Sequence, residues 1–252
     1  MNVIFPLLIS TVAGLSTVLG GLIVYLRIKR VEEFITFCLS FSLSVMISIS
    51  IIELIPDSSF EFIRHFGILK GTILSSIIFV IGVLLVNIIN KIIKKNDKST
   101  TPNKNLYRVG ILGMIALLLH NLPEGIATFM SSYKDISLGI SLGMAIMMHN
   151  IPEGISVSVP IYYSTGSKKR GVVYSLISGV AEPIGALLTY LLFKDYITDL
   201  TLSIVLILVA GIMITLSINE LLPEAIKYKK DRYIIIGLIV GIILVLINHF
   251  IL

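Results

Sequence analysis

Eight runs of about twenty or more mostly apolar residues, parted by short polar loops, leave this 252-residue chain few ways to fold. They fall at approximately 3–26, 34–55, 68–92, 107–131, 136–161, 171–193, 198–222 and 233–252. A helix of about 20 apolar residues crosses the hydrocarbon core of a bilayer. In lipid every backbone polar group must be satisfied within the protein, which leaves helices or a closed barrel. The expected fold is an all-α membrane protein with eight transmembrane helices. Only 14% of the residues are charged, against about 25% in soluble domains. The first run is too long for a signal-peptide core and has no basic stretch ahead of it, so it is expected to remain in the protein. The whole chain, 1–252, reads as a single transmembrane domain, with a polar, turn-rich loop at 93–106 expected to be flexible and cytoplasmic.

The charges give the chain a direction. Of its 20 Lys and Arg residues, sixteen fall in the loops after runs 1, 3, 5 and 7; only Arg64, Lys70, Lys134 and Lys194 lie on the other side. By the positive-inside rule both termini are extracytoplasmic, in the cell (inner) membrane. The basic residues therefore orient loops, and no nucleic-acid partner is expected. The lone cysteine, Cys38, excludes a disulfide within the chain and a thiolate metal cluster.

The acids behave differently. Glu53, Glu124, Glu153, Glu182 and Glu220 fall inside apolar runs, while the basic residues sit at run ends and loops. The five carboxylates are therefore expected to lack basic partners, and to be either protonated or shared with bound cations. Two belong to a repeated hexapeptide, His120-Asn121-Leu122-Pro123-Glu124-Gly125 and, 29 positions on, His149-Asn150-Ile151-Pro152-Glu153-Gly154. A histidine and a carboxylate four residues apart share a helix face and can point at one ion. The asparagine lies about 100° further round, where it can serve an adjacent site. Each proline frees the carbonyl four residues back, at Leu119 or Met148, and the glycine lets another helix approach closely. Imidazole, carboxylate and amide together suit a divalent transition metal that binds and is released. Glu182, beside Pro183 in the sixth run, adds a further carboxylate.

A second repeat frames the first. Residues 44–58, SVMISISIIELIPDS, match residues 211–225, GIMITLSINELLPEA, pairing Met46 with Met213, Glu53 with Glu220, Pro56 with Pro223 and Asp57 with Glu224. Both repeats centre near residues 135–137. Segments 1–3 are therefore expected to recur as segments 6–8 around segments 4 and 5, as an inverted repeat of the kind secondary transporters use. Met46 offers either a thioether ligand or packing. Glu53, Asp57, Glu220 and Glu224 are candidate gate or entrance residues, or acids that snorkel to the interface. His65 and His249 lie at the outer face and are expected to be solvated.

The paired HNxPEG copies, the Ala181-Glu182-Pro183 triplet and the ELLPEA sequence ending segment 7 resemble the ZIP family of divalent-metal transporters, and its bacterial branch in particular. The resemblance covers all eight segments. It implies uptake of zinc, and in many members iron, manganese, cobalt or cadmium, toward the cytoplasm, with the metal as substrate and no prosthetic group. It further implies a binuclear site. His120, Glu124, His149, Glu153 and Met46 would hold one ion; Asn121, Asn150 and Glu182 would hold the other, with Glu124 and Glu153 bridging. It implies that segments 1, 4, 5 and 6 move against 2, 3, 7 and 8, often within a homodimer. Unlike many members, this chain has no histidine-rich loop between segments 3 and 4.

Two other functions compete. An intramembrane zinc-dependent hydrolase would also set His and acids around a metal, but it needs an open coordination position, and no HExxH pattern is present. A proton-coupled carrier of organic cations would use the acids and leave the histidines unexplained. The primary expectation is a transporter, not an enzyme.

Overall fold

The computed structural model describes residues 3–96, 103–193 and 198–251, and within them the chain is helical almost throughout. Ten α-helices follow in order: α1 (Ile4–Gly21), α2 (Val31–Ile49), α3 (Ile55–Phe66), α4 (Ile68–Asn96), α5 (Lys104–Lys134), α6 (Ile136–Thr165), α7 (Lys168–Leu188), α8 (Asp199–Leu216), α9 (Leu222–Lys227) and α10 (Asp231–Ile251). Among the described residues, six helical stretches are long and apolar enough to cross a membrane: Ile4–Tyr25, Val31–Phe66, Ile68–Ile88, Lys104–Tyr133, Lys168–Leu191 and Asp199–Lys227. The other two expected spans, 136–161 and 233–252, correspond to α6 and, as far as Ile251, to α10. The loop expected at 93–106 is flanked by α4 and α5, and its residues 97–102 lie outside the described residues.

The helices are built for lipid on one side and for each other on the other. In α1, Ile4, Leu8, Val12, Leu15 and Leu19 point outward and are exposed, whereas Ser10, Ala13, Gly14, Thr17 and Gly20 are buried. Lipid is as apolar as leucine, so large aliphatics gain nothing by turning inward, while small residues let backbones touch.

Glycine contacts divide the molecule into two groups. In the first, a Cβ on Gly14 would collide with the Gly179 carbonyl oxygen, and one on Gly179 with that of Gly14, so α1 and α7 cross backbone to backbone. Likewise Gly20 meets the Ile151 carbonyl, Gly154 that of Thr17, Gly125 that of Glu182, and Gly185 that of Leu122. These contacts join α1, α5, α6 and α7. In the second group, Gly82 meets the Leu208 carbonyl and Gly211 that of Phe79, joining α4 to α8, and Gly237 and Gly241 meet those of Phe37 and Phe41, joining α2 to α10, while α3, which continues α2, packs on α4 and α8. Gly237 and Gly241, a pair spaced for helix contact, are thus satisfied within the chain.

The contacts also display the repeat. Gly14 and Gly179, Gly20 and Gly185, and Thr17 and Glu182 are each 165 residues apart; the first two meet each other, and the other pairs meet partners that are themselves 29 apart on α5 and α6. The first group is therefore internally duplicated, in keeping with the nested repeats. The same holds for a backbone irregularity. One π-helical turn, Ser50–Leu54, joins α2 to α3, and another, Ser217–Leu221, joins α8 to α9. Pro56 and Pro223 stand just beyond them at the helix starts. A proline cannot donate to the preceding turn, and the ladder widens by one residue to absorb the loss. Glu53 and Glu220 occupy the same position in the two turns.

Candidate metal centre

The prolines of the hexapeptides do not end their helices: α5 runs on past Pro123 and α6 past Pro152 and Pro160. The histidine and glutamate of each copy therefore stay one turn apart on one face, and the two faces meet. Glu124 lies between the imidazoles, its Oε1 3.0 Å from His120 Nε2 and 2.7 Å from His149 Nε2. Glu153 Oε1 lies 3.7 Å from His120 Nε2. The ring centroids are 6.2 Å apart. The ligand atoms of His120, Glu124 and His149 all fall within 4.8 Å of one another, and all three residues are buried.

The asparagines face the neighbouring helices. Asn121 Nδ2 donates to the Ser178 carbonyl of α7 at 3.2 Å, and Asn150 Nδ2 to the Ala13 carbonyl of α1 at 3.0 Å. Ser178 and Ala13 are again 165 residues apart, so the amides obey the repeat. Glu182 does not: its repeat mate is Thr17, and its Oε2 accepts a second bond from Asn150 Nδ2 at 2.9 Å. Through Asn150, Glu182 joins the hexapeptide residues in one buried polar layer.

That layer is short of partners. His120 Nδ1, Asn121 Oδ1, Glu124 Oε2, His149 Nδ1, Asn150 Oδ1, both oxygens of Glu153 and Glu182 Oε1 are buried without a hydrogen bond. Buried polar atoms are nearly always satisfied, and each exception needs a reason. Here the orphans are mostly acceptors and imidazole nitrogens, which a cation shared among the carboxylates would satisfy.

The remaining candidates separate. Met46 is buried in the apolar core with Val45 and Ile49. Glu53 is half-buried, with its Oε1 3.8 Å from His249 Nδ1. Asp57 is exposed. Glu224 is buried beside Lys227, at 3.1 Å. His65 pairs with Glu61 at 3.2 Å. One expectation changes here. Glu220 is not without a base: Arg108 Nε and Nη2 both donate to its Oε2, at 3.2 and 3.1 Å. Arg108 had been counted as loop charge, but α5 begins at Lys104, capped by the Asn103 side chain, which carries Arg108 into the helix against α8 and its π turn. The cap signal was present in the sequence. His65 and His249 are exposed, as expected, each with an acid beside it.

The family described as "ZIP Zinc transporter" matches the chain over residues 93–249. Proteins named zinc transporter ZupT are similar over nearly its whole length. That of Clostridium perfringens is 38% identical over 98% of this chain and 95% of its own. That of Streptococcus mutans is 39% identical over 96% and 95%, and that of Oceanobacillus iheyensis 38% over 98% and 97%.

Proposed function

The chain belongs to the ZIP zinc transporter family, and from that premise we propose that it carries zinc into the cytoplasm through the buried layer between α5 and α6. The observation that supports this most is the placing of one Glu124 oxygen against both imidazoles, with further carboxylate and amide oxygens orphaned around it. In this reading His120, Glu124, His149 and Glu153 hold one ion, with Met46 as a fifth ligand. Asn121, Asn150 and Glu182 hold a second, with Glu124 and Glu153 shared. The donor set is nitrogen and oxygen without thiolate, which favours reversible binding and admits iron, manganese, cobalt and cadmium as further substrates. The protein is a multi-pass membrane transporter and not an enzyme; the hydrolase alternative finds no support in its relatives. Eight spans in the inner membrane, extracytoplasmic termini and assembly as a homodimer complete the reading. An organic-cation carrier is disfavoured because it gives the imidazoles no task, yet both converge on Glu124.

Reconstituted in liposomes, the purified protein should accumulate zinc down a gradient faster than protein-free liposomes do; equal rates reject the reading. Protons compete with the metal for imidazole and carboxylate, so acidification weakens binding. Titrating zinc into the detergent-solubilised protein from about pH 7.5 down to about pH 5 should show steadily falling affinity, because histidine charges across that range. A flat profile contradicts histidine ligation.

A further inference from the structure

The two helix groups touch through few polar side chains, and one of those contacts is an ion pair. Arg108 of α5, in the group that carries the metal centre, reaches Glu220 in the π turn between α8 and α9, in the other group. The arginine side chain is 20% exposed and the glutamate 5%. Arg108 precedes His120 by twelve residues, about 18 Å along the helix axis. The positive-inside count puts this end of α5 at the cytoplasm. Along the stretch of α5 between Arg108 and His120, Leu112, Ile115, Ala116 and Leu119 line, with Val86, Ile212 and Leu216, a partly open apolar pocket of about 10 Å³. That is room for about one water and no hydrated ion.

The other half of the repeat is built differently. Glu53 occupies the place of Glu220, but the basic side chain beside it is His249, at 3.8 Å, and the Glu53 side chain is 25% exposed. The α6 position that corresponds to Arg108 by the 29-residue repeat is Ser137. A permanent charge closes one end of the duplicated architecture and not the other.

We infer that Arg108 is a tethered cation that locks the metal-carrying helices to Glu220 at the cytoplasmic end, closing the exit, and that opening requires this pair to part. The inference rests on the transport reading above, and adds a positioning residue to it. A guanidinium spends its charge on a carboxylate that a passing metal would otherwise meet. It keeps its charge at any physiological pH and holds the carboxylate in a fixed fork geometry. Breaking a buried pair by removing one partner leaves the other charge uncompensated, so either single neutralisation favours the opened arrangement, where water reaches the survivor.

The test uses Leu112→Cys as a reporter behind the pair, in a Cys38→Ala background, labelled with a membrane-impermeant maleimide from the cytoplasmic face of inside-out vesicles. The reporter should react slowly when the pair is intact. Arg108→Gln and Glu220→Gln should each speed labelling by about tenfold or more, within the range that couplings between two conformational states span. The exchanged pair, Arg108→Glu with Glu220→Arg, should return it to the slow rate, which a merely structural role for either residue would not do. If Arg108→Gln fails to reach the membrane, Arg108→Lys keeps the charge but loses the fork geometry, and should give a smaller acceleration. Equal rates in all variants, or an acceleration that the exchange leaves in place, overturn the inference. Zinc uptake by the unsubstituted protein is read separately. If it moves no zinc yet shows the labelling pattern, the transport reading falls and the lock stands.

Discussion

Glu124→Ala should abolish saturable zinc uptake, and His149→Ala should lower it by well over tenfold. Glu124 is the one carboxylate placed within 3.0 Å of both imidazoles. Without it the rings lose the carboxylate that joins them, and Glu153, 3.7 Å from His120 Nε2, is left to offset a divalent charge, so a cation there loses its main compensation for dehydration. His149 contributes one of the two nitrogens that distinguish this site from an all-oxygen one. Changes in outer-shell partners alone typically weaken metal sites by about 10- to 100-fold, so removal of a direct ligand should do at least that. Uptake into proteoliposomes, normalised to protein that elutes as a single folded species, gives the comparison. His65→Ala supplies the contrast: this histidine lies on α3, outside the layer, paired with Glu61. It should transport like the unsubstituted protein. Glu124→Ala with unimpaired uptake would remove the site assignment.

The second large effect comes from two glycines that touch no metal. Gly125→Val and Gly154→Val should each prevent recovery of a folded, transport-competent protein. A Cβ at Gly125 would collide with the Glu182 carbonyl oxygen of α7, and one at Gly154 with the Thr17 carbonyl oxygen of α1. These are backbone atoms of packed helices, so the neighbour cannot rotate aside as a side chain would. Overpacking a well-fitted interior costs about 1–3 kcal/mol or more, and here the strain falls on the interface that aligns Asn150 with Glu182 and Asn121 with Ser178. Gly113→Ala is the control on the same helix: its added Cβ would sit 3.7 Å from Val157 Cγ2, an ordinary contact. Thermal unfolding in detergent and size-exclusion profiles should place Gly113→Ala beside the unsubstituted protein and the two valine variants far below it. Valine variants as stable as Gly113→Ala would mean that α5 and α6 do not approach their neighbours as described.

Much of the centre was legible in the chain because its signals are local. A histidine and a glutamate four apart lie on one face whatever surrounds the helix, and the doubled hexapeptide announced that face twice. Six of the spans were legible because lipid demands long apolar runs. The nested repeats foretold an internal duplication, and the paired glycine contacts and twin π turns carry it down to single residues. Other features were not readable, for a physical reason. Where the amides of Asn121 and Asn150 point depends on the carbonyls of α7 and α1, which lie far away in sequence. The pairing of Arg108 with Glu220 spans 112 positions and two helix groups, and counting charges by loop assigned the arginine to the wrong environment. The clustering of glycine contacts into two groups is likewise a property of the packed molecule; no single glycine reveals which helix it meets.

The central claim is that a divalent metal passes through the layer formed by the two hexapeptides. Anomalous scattering from zinc-soaked crystals, collected on either side of the zinc absorption edge, tests it most directly. The account predicts edge-dependent density between α5 and α6, within coordination distance of His120, Glu124, His149 and Glu153, and lost in Glu124→Ala crystals grown the same way. Zinc density confined to surface carboxylates, with none in this layer, would contradict it.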